Sequence, residues 1–146
     1  GSIAMKHVWI PLLFAVVLSG CATPPVVQKK PAAPTTLYRY PMPPNAAMLA
    51  QQMAAYDLKD PESAKFRDTF FVTADDRGDS RDRSKDSWCV EVNGKNSYGA
   101  YTGYTWSLLP AGSNKMIQGG PMASMVNDIC SRAVLGPVST PQQPPR

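Results

Sequence analysis

The chain has 146 residues and a formal net charge of +4, with 15 prolines, 3 cysteines and 1 histidine. The excess positive charge lies outside residues 45–135, which contain ten basic and eleven acidic side chains. A nucleic-acid-binding domain carries a concentrated basic footprint of its own, so this composition argues against nucleic acid as a partner.

The only histidine, His7, precedes the part of the chain that we expect to fold. The expected domain therefore has no imidazole base, no Ser-His or Cys-His nucleophile and no histidine metal ligand. We predict that the protein is not an enzyme and has no catalytic residue, no metal and no cofactor.

A short apolar segment, Val8–Leu18, follows Lys6 near the N-terminus and ends in small residues. This is the layout of an export signal, and the segment is shorter than the about 20 residues that a membrane-spanning helix needs. The alternative is a buried core helix, which Pro11 disfavours. The segment ends in the tetrapeptide Leu18-Ser19-Gly20-Cys21.

This tetrapeptide resembles the lipobox of bacterial lipoproteins. The resemblance implies that the Cys21 sulfur is acylated and that Cys21 becomes the mature N-terminus. It also implies sorting to the outer membrane, because Ala22 follows the cysteine rather than aspartate. The lipid chains would then hold the protein on the membrane.

The next segment is rich in proline, with seven prolines in residues 22–44. Proline fixes φ and removes a backbone donor, so we predict a semi-rigid, extended tether without strand or helix. The whole chain then divides into a signal peptide with an N-terminal extension (1–20), a lipidated tether (21–44), a globular domain (45–135) and a disordered proline-rich tail (136–146).

The predicted domain opens with helical signals. Apolar residues at helical spacing predict an amphipathic helix over 45–56, with Asn45 as its cap. Asp60-Pro61-Glu62 predicts the start of a short second helix. Thr69–Thr73 has the β-branched and aromatic composition of a strand.

Residues 75–86 contain no apolar side chain. Alternating charges of this kind predict a solvated, flexible loop. The loop includes Arg77-Gly78-Asp79, the tripeptide of integrin ligands, but three residues recur by chance in a mixed-charge loop. We therefore expect no such function.

Trp88–Leu109 is the segment that we expect any function to use. Residues 88–92 alternate as a strand does, and Asn93-Gly94 is a strong hairpin signal, which predicts a second strand over 98–108. One face of that strand would hold Tyr98, Ala100, Thr102, Tyr104, Trp106 and Leu108, and the other face Gly99, Tyr101 and Gly103. The aromatic face is either core or a partly exposed platform for a peptide or glycan, and both interpretations stay open.

Two segments of the domain resemble a family of small exported bacterial proteins without an established activity. The first is Asp60–Arg67, which has the family's Asp-Pro…Ala-x-Phe-Arg element. The second is Cys89–Tyr104, which has its Cys-x-x-Val-Asn-x-Lys-Asn-x-x-Gly-x-Tyr-x-Gly-Tyr core. Val90 and Trp106 depart from the family's pattern. The resemblance supports the boundaries and the fold more than a function.

The domain ends with a strand over 115–118 and a helix that begins near Gly119-Gly120-Pro121. An apolar stripe on this helix includes Cys130, and Cys89 lies on a strand that the helix can cover. In an oxidising periplasm these two cysteines should form a disulfide. The alternative is two free, buried thiols.

Together these elements predict an α+β domain with helices on one face of a small antiparallel sheet and one disulfide. We expect a lipoprotein on the periplasmic face of the outer membrane, acting as a non-catalytic binding or assembly module for an envelope protein. One variant of this hypothesis is an immunity or exclusion factor. The candidate binding residues are Asn93, Lys95, Asn96, Tyr98, Tyr101, Tyr104 and Trp106.

The alternative function is a peptidoglycan-binding protein or a weak hydrolase. A hydrolase would need two carboxylates about 5–10 Å apart, and Glu91 with Glu62 or Asp68 are the candidates. We expect Glu91 instead to pair with Lys95 across the turn.

Overall fold

The computed structural model describes Gly20 and residues 33–138. The predicted signal peptide apart from Gly20, the lipobox cysteine Cys21, the tether up to residue 32 and the tail from residue 139 lie outside the described residues. No helix in the described part is both long and apolar enough to span a membrane. Described residues from Pro34 onward belong to one compact unit.

Six strands of this unit form one mixed sheet. They are β1 (Tyr38–Pro41), β2 (Lys65–Thr73), β3 (Ser87–Asn93), β4 (Thr105–Leu109), β5 (Ile117–Gln118) and β6 (Val134–Leu135). Their order across the sheet is β5-β4-β3-β2-β1-β6. Neighbouring strands are antiparallel, except that β6 runs parallel to β1.

Two α-helices accompany the sheet, α1 (Pro44–Ala55) and α2 (Ala123–Arg132). They cover opposite faces of the sheet, as two neighbouring residues of β3 show. Successive side chains of a strand point to opposite sides of the sheet. On β3, Cys89 packs in the cluster that contains Val126 and Cys130 of α2. The next residue, Val90, packs against Ala50 and Ala54 of α1.

The α+β class and the Cys89–Cys130 disulfide are confirmed, with the two Cα atoms 5.8 Å apart. The structure refines the prediction in two respects: one strand pair is parallel, and the helices lie on both faces of the sheet rather than on one. The sequence contains the reason. Trp88, Cys89 and Val90 are consecutive apolar residues, and a strand covered on both faces has such an uninterrupted run.

The folded unit begins earlier than predicted. β1 lies inside the segment 21–44, for which we expected neither strand nor helix, so that expectation is wrong for Tyr38–Pro41. No proline interrupts Tyr38–Tyr40, and Pro44 occupies the first turn of α1, where the missing N–H costs nothing. The first residue of the predicted disordered tail (136–146) also belongs to the folded unit. The Gly136 N–H donates to the Arg39 carbonyl of β1 at 2.9 Å.

Two local helix predictions differ from the structure. α1 agrees with the predicted 45–56 within one residue at each end, but Pro43 precedes it and no side chain caps it, so Asn45 is not a cap. Asp60-Pro61-Glu62 opens only a 3-10 turn over Pro61–Ser63, and β2 begins at Lys65. The predicted strand 115–118 forms, but as the two residues of β5.

Candidate functional site

Residues 94–104 connect β3 to β4, and we call them the aromatic loop. Asn93-Gly94 does not form a two-residue hairpin turn, so the predicted strand 98–108 begins only at Thr105. The chain reverses instead at residues 96–99, where the Gly99 N–H donates to the Asn96 carbonyl at 3.0 Å. The predicted alternation of faces therefore does not apply to residues 98–104.

Two asparagine side chains hold the aromatic loop in shape. The Asn96 Oδ1 accepts the N–H groups of Tyr98 at 2.9 Å and Ala100 at 3.1 Å. The Asn93 Oδ1 accepts the Gly103 N–H at 3.0 Å. Gly103 has a φ of 99°, in the region that favours glycine. The backbone of the loop is thus fixed by its own hydrogen bonds.

The tyrosines of the loop occupy three different environments. Tyr98 stands at the turn and is 95% exposed. The Tyr101 hydroxyl donates to the Ser63 carbonyl at 2.8 Å, which ties the loop to the turn before β2. The Tyr101 ring lies near two ammonium groups, Lys65 at 4.3 Å and Lys95 at 5.3 Å from its centroid. These distances are within cation–π range.

Tyr104 lies under a guanidinium. The Arg67 Cζ is 3.7 Å from the centre of the Tyr104 ring, and the same guanidinium forms an ion pair with Glu91. The Glu91 side chain is only 15% exposed. The expected Glu91–Lys95 pair is therefore wrong, because Arg67 on the neighbouring strand takes the carboxylate.

Two of the predicted binding residues, Asn93 and Trp106, pack into the fold. Trp106 contacts Phe70 edge to face, with ring centres 5.6 Å apart, and packs on the core beneath α2. Asn93 is buried and bonded to the loop backbone. The structure brings the other five together at the loop and its base: Lys95, Asn96, Tyr98, Tyr101 and Tyr104.

Three basic residues beside the loop were missed from the sequence. Lys59 donates to the Ser97 hydroxyl, while Lys65 and Arg67 lie on β2. The short helix predicted to begin at Asp60-Pro61-Glu62 would include Lys65 and Arg67, but both residues lie on a strand. Lys65 and Arg67 are two apart, and on a strand this spacing puts both on one face, so the strand assignment would have found them.

Residues 75–86, the charged loop, fold back against the sheet through a buried ion pair. The Arg81 Nε and Nη2 donate to the Asp86 carboxylate at 3.0 and 2.9 Å, and both side chains are buried. The Arg81 Cζ lies 3.9 Å from the centre of the Tyr40 ring. The prediction that the whole loop is solvated is wrong at Arg81 and Asp86.

A second network organises the start of the charged loop. Asp75 accepts two hydrogen bonds from the Arg77 guanidinium, at 2.9 and 2.7 Å, and one from the Asp82 N–H at 3.0 Å. These bonds, with that of Arg77 the strongest, hold the pKa of Asp75 well below its usual range. The Arg77-Gly78-Asp79 tripeptide is part of this structure, with Gly78 buried and its N–H donating to the Tyr40 hydroxyl.

Two concave surfaces lie on the α1 side of the sheet. A groove of about 610 Å³ runs between α1 and residues 114–116, and Leu49, Met53 and Met116 are among its lining residues. A smaller cleft of about 210 Å³ lies beside the aromatic loop. It is lined by Asp57, Leu58, Lys59, Val92, Gly94, Lys95, Asn96, Thr102, Thr105 and Gln118.

Within Gly20 and residues 33–138, no three His, Cys, Asp or Glu side chains are grouped as metal ligands. Comparisons of the chain with protein-family models, with curated proteins and with solved structures gave no match. The lipobox and the resemblance to small exported proteins stay predictions from the sequence.

Proposed function

We propose that this chain is a lipoprotein, anchored through Cys21 on the periplasmic face of the outer membrane, whose domain is a non-catalytic protein-binding or assembly module. The aromatic loop is its contact surface. The observation that carries the proposal is the loop's combination of a hydrogen-bonded backbone with Tyr98 at 95% exposure.

A rigid loop that presents tyrosine is suited to binding a protein. Ordering a flexible loop costs free energy on association, and a loop already fixed by Asn93 and Asn96 avoids that cost. Tyrosine and arginine are enriched at the energetic centres of interfaces. Tyr98, Tyr101 and the Arg67–Tyr104 pair supply these groups on and beside one loop.

Two contacts favour a protein partner over the alternative, a cell-wall glycan. Aromatic rings bind sugars by stacking, whereas cations lie against Tyr101 and Tyr104 here. A hydrolase would need two available carboxylates, but Glu91 is paired with Arg67, and Asp68 lies 3.6 Å from the Arg39 guanidinium. We therefore keep the glycan binder or weak hydrolase as the second candidate only.

Site-specific photocrosslinking in the native cell envelope tests the proposal. A photoreactive phenylalanine analogue is placed at Tyr98 in the full chain, and the membrane fraction is illuminated. We expect one adduct of defined mass containing a second protein. The matched control carries the analogue at Leu135, which is 84% exposed on β6, and should give no such adduct.

Three other results would contradict parts of the proposal. An adduct that muramidase digests would favour the glycan alternative, and equal adducts at Tyr98 and Leu135 would mean non-specific contact. The absence of an adduct at Tyr98 would reject the loop as a binding surface. The anchor is tested in the same fractions, because Cys21→Ser should remove the chain from the membrane if Cys21 is acylated.

An immunity or exclusion factor is one form of this function. A small anchored module that binds an incoming toxin or phage factor would need the kind of preformed contact surface that the aromatic loop offers. The identity of the protein in the Tyr98 adduct distinguishes this form from an assembly role within the envelope.

A further inference from the structure

We infer that the partner presents an acidic peptide segment, rich in Asp or Glu, which docks on a lysine cluster around the aromatic loop. The cluster consists of Lys59, Lys65 and Lys95. This inference rests on the proposed protein-binding function and adds the chemistry of the segment that is bound.

The three lysines converge on one loop from three parts of the chain. Lys59, in the connection after α1, reaches the Ser97 hydroxyl. Lys65, at the start of β2, and Lys95, in the loop itself, lie near the Tyr101 ring at 4.3 and 5.3 Å. Lys65 and Lys95 thus contact one ring of the aromatic loop, and Lys59 contacts its turn at Ser97.

None of these lysines forms an ion pair within the described part of the chain. All six ion pairs found there use arginine as the cation. The carboxylate beside the cluster on β3, Glu91, is taken by Arg67. The lysine charges are thus available to a partner.

Acidic residues near the cluster do not neutralise it by direct contact. Asp57 lines the cleft beside Lys59 and Lys95 without an ion pair to either. Asp60 and Glu62 belong to the turn before β2, and they too form no ion pair with the three lysines. A carboxylate brought by a partner can therefore form contacts that the domain itself leaves unmade.

The cleft beside the loop provides a place for such a carboxylate. It has a volume of about 210 Å³, and Lys59, Lys95, Thr102 and Thr105 are among its lining residues. Ammonium groups bind carboxylates through charge-assisted hydrogen bonds, which are shorter and stronger than neutral ones. An aspartate or glutamate side chain is small enough to enter this space.

The shape of the site favours a peptide over an anionic lipid surface. Tyr98 projects from the turn, whereas Lys59 and Lys95 line a concave cleft at its side. A flat bilayer would meet the projecting tyrosine before it reached the cleft. A chain segment can follow the loop and place a side chain in the cleft.

The test uses the full chain in neutral phosphatidylcholine vesicles and a fluorescent hexaglutamate peptide. Binding of the peptide is measured by the anisotropy of its fluorescence. Replacing Lys59, Lys65 and Lys95 together by glutamine should weaken peptide binding by about tenfold or more, because three close charge pairs are lost. The matched control, Lys85→Gln with Lys115→Gln, removes two exposed lysines elsewhere and should change it by less than about twofold. Arginine at the three cluster positions should preserve binding.

A second measurement separates this inference from the proposed function. The triple glutamine variant is combined with the photoreactive analogue at Tyr98 in the cell envelope, and the adduct should fall by about tenfold, since charge steers and holds the partner. Loss of the adduct only in the triple variant supports both proposals. An unchanged amount of adduct would contradict the inference that the partner presents an acidic segment. It would not contradict the proposed protein-binding function.

Two other results overturn the inference. Equal hexaglutamate binding by the parent chain and the triple variant would mean that the cluster is not the site. Recruitment of the chain to phosphatidylglycerol vesicles through the same lysines, without hexaglutamate binding, would assign the cluster to a lipid surface. If the parent chain gives no adduct at Tyr98, the proposed function fails, and the peptide measurement still decides whether the cluster binds acidic chains.

Discussion

The charged loop (75–86) and the aromatic loop (94–104) reverse the usual relation between composition and burial. The charged loop has no apolar residue, yet Arg81 and Asp86 are among the buried side chains. The aromatic loop contains three tyrosines, yet Tyr98 is almost fully exposed. Hydrophobicity alone predicts the opposite in both loops.

The difference follows from where each loop finds its polar partners. Arg81 has a carboxylate in Asp86, the Gly78 carbonyl at 3.0 Å and the Tyr40 ring, so its charge is satisfied inside the fold. In the aromatic loop, the side chains of Asn93 and Asn96 satisfy the backbone, so the turn forms without burying Tyr98, which stays exposed. Burial here depends on hydrogen-bond partners more than on residue class.

The largest effect that separates the loops is expected for Arg81→Ala. It leaves the Asp86 carboxylate buried without its cation, and breaking a buried pair in this way costs about 3–5 kcal/mol. We expect that loss in the free energy of unfolding, measured by urea denaturation at pH 7. For a domain of this size, the loss is a large fraction of the total stability.

Arg77→Ala is the matched control within the same loop. The Arg77 side chain is 61% exposed, and its pair with Asp75 should contribute less than about 1 kcal/mol. If Arg81→Ala were as mild as Arg77→Ala, the charged loop would not be anchored by the buried pair. The contrast between the two loops would then disappear.

Much of the fold was accessible from the sequence because it depends on local patterns. The apolar spacing in residues 45–56 predicted α1, and the stripe through Cys130 predicted both α2 and the disulfide. β1 was missed because nearby prolines outweighed the strand character of Tyr38–Tyr40. The parallel β1–β6 pair joins the two ends of the folded unit, and no local pattern indicates such a contact.

The candidate site was predicted only in part, for a physical reason. The tyrosines were identified by residue type, but their cations come from distant positions, such as Arg67 for Tyr104. Asn93-Gly94 was interpreted as a turn, yet the φ of Gly94 is not positive, and the side chain of Asn93 instead closes a longer loop. The two residues Asn93-Gly94 do not by themselves determine whether the chain forms a short turn or a longer loop closed by the Asn93 side chain.

A smaller effect is expected for Asn96→Ala in the aromatic loop. The change removes the acceptor for two backbone N–H groups, and we expect a loss of about 1 kcal/mol, typical for a hydrogen bond of this kind. The loop lies outside the two apolar clusters beneath α1 and α2. The lost free energy should therefore appear as local opening of the loop rather than as global unfolding. Amide hydrogen exchange at Tyr98 and Ala100 should accelerate by about fivefold.

Asn45→Ala serves as the control, since Asn45 is exposed and forms no cap bond. Exchange in the aromatic loop should not change in this variant. If Asn96→Ala left the exchange of Tyr98 and Ala100 unchanged, the asparagine would not hold the loop, and the preorganisation that supports the binding proposal would be lost.

The smallest effect concerns the acid stability of the charged loop. Hydrogen bonds from Arg77 lower the pKa of Asp75, and those from Ser84 lower the pKa of Asp82. A carboxylate with a lowered pKa in the folded state stabilises the protein above its ordinary pKa, near about 4, and this contribution is lost as the pH falls below that value. Stability measured by urea denaturation should therefore decline from about pH 5 towards pH 2.

Asp75→Asn should flatten part of this decline, whereas Asp76→Asn, at an exposed neighbour, should not. An equal decline in the parent chain and in Asp75→Asn would assign the acid sensitivity to other carboxylates, and the charged loop would then depend on its Arg81–Asp86 anchor alone.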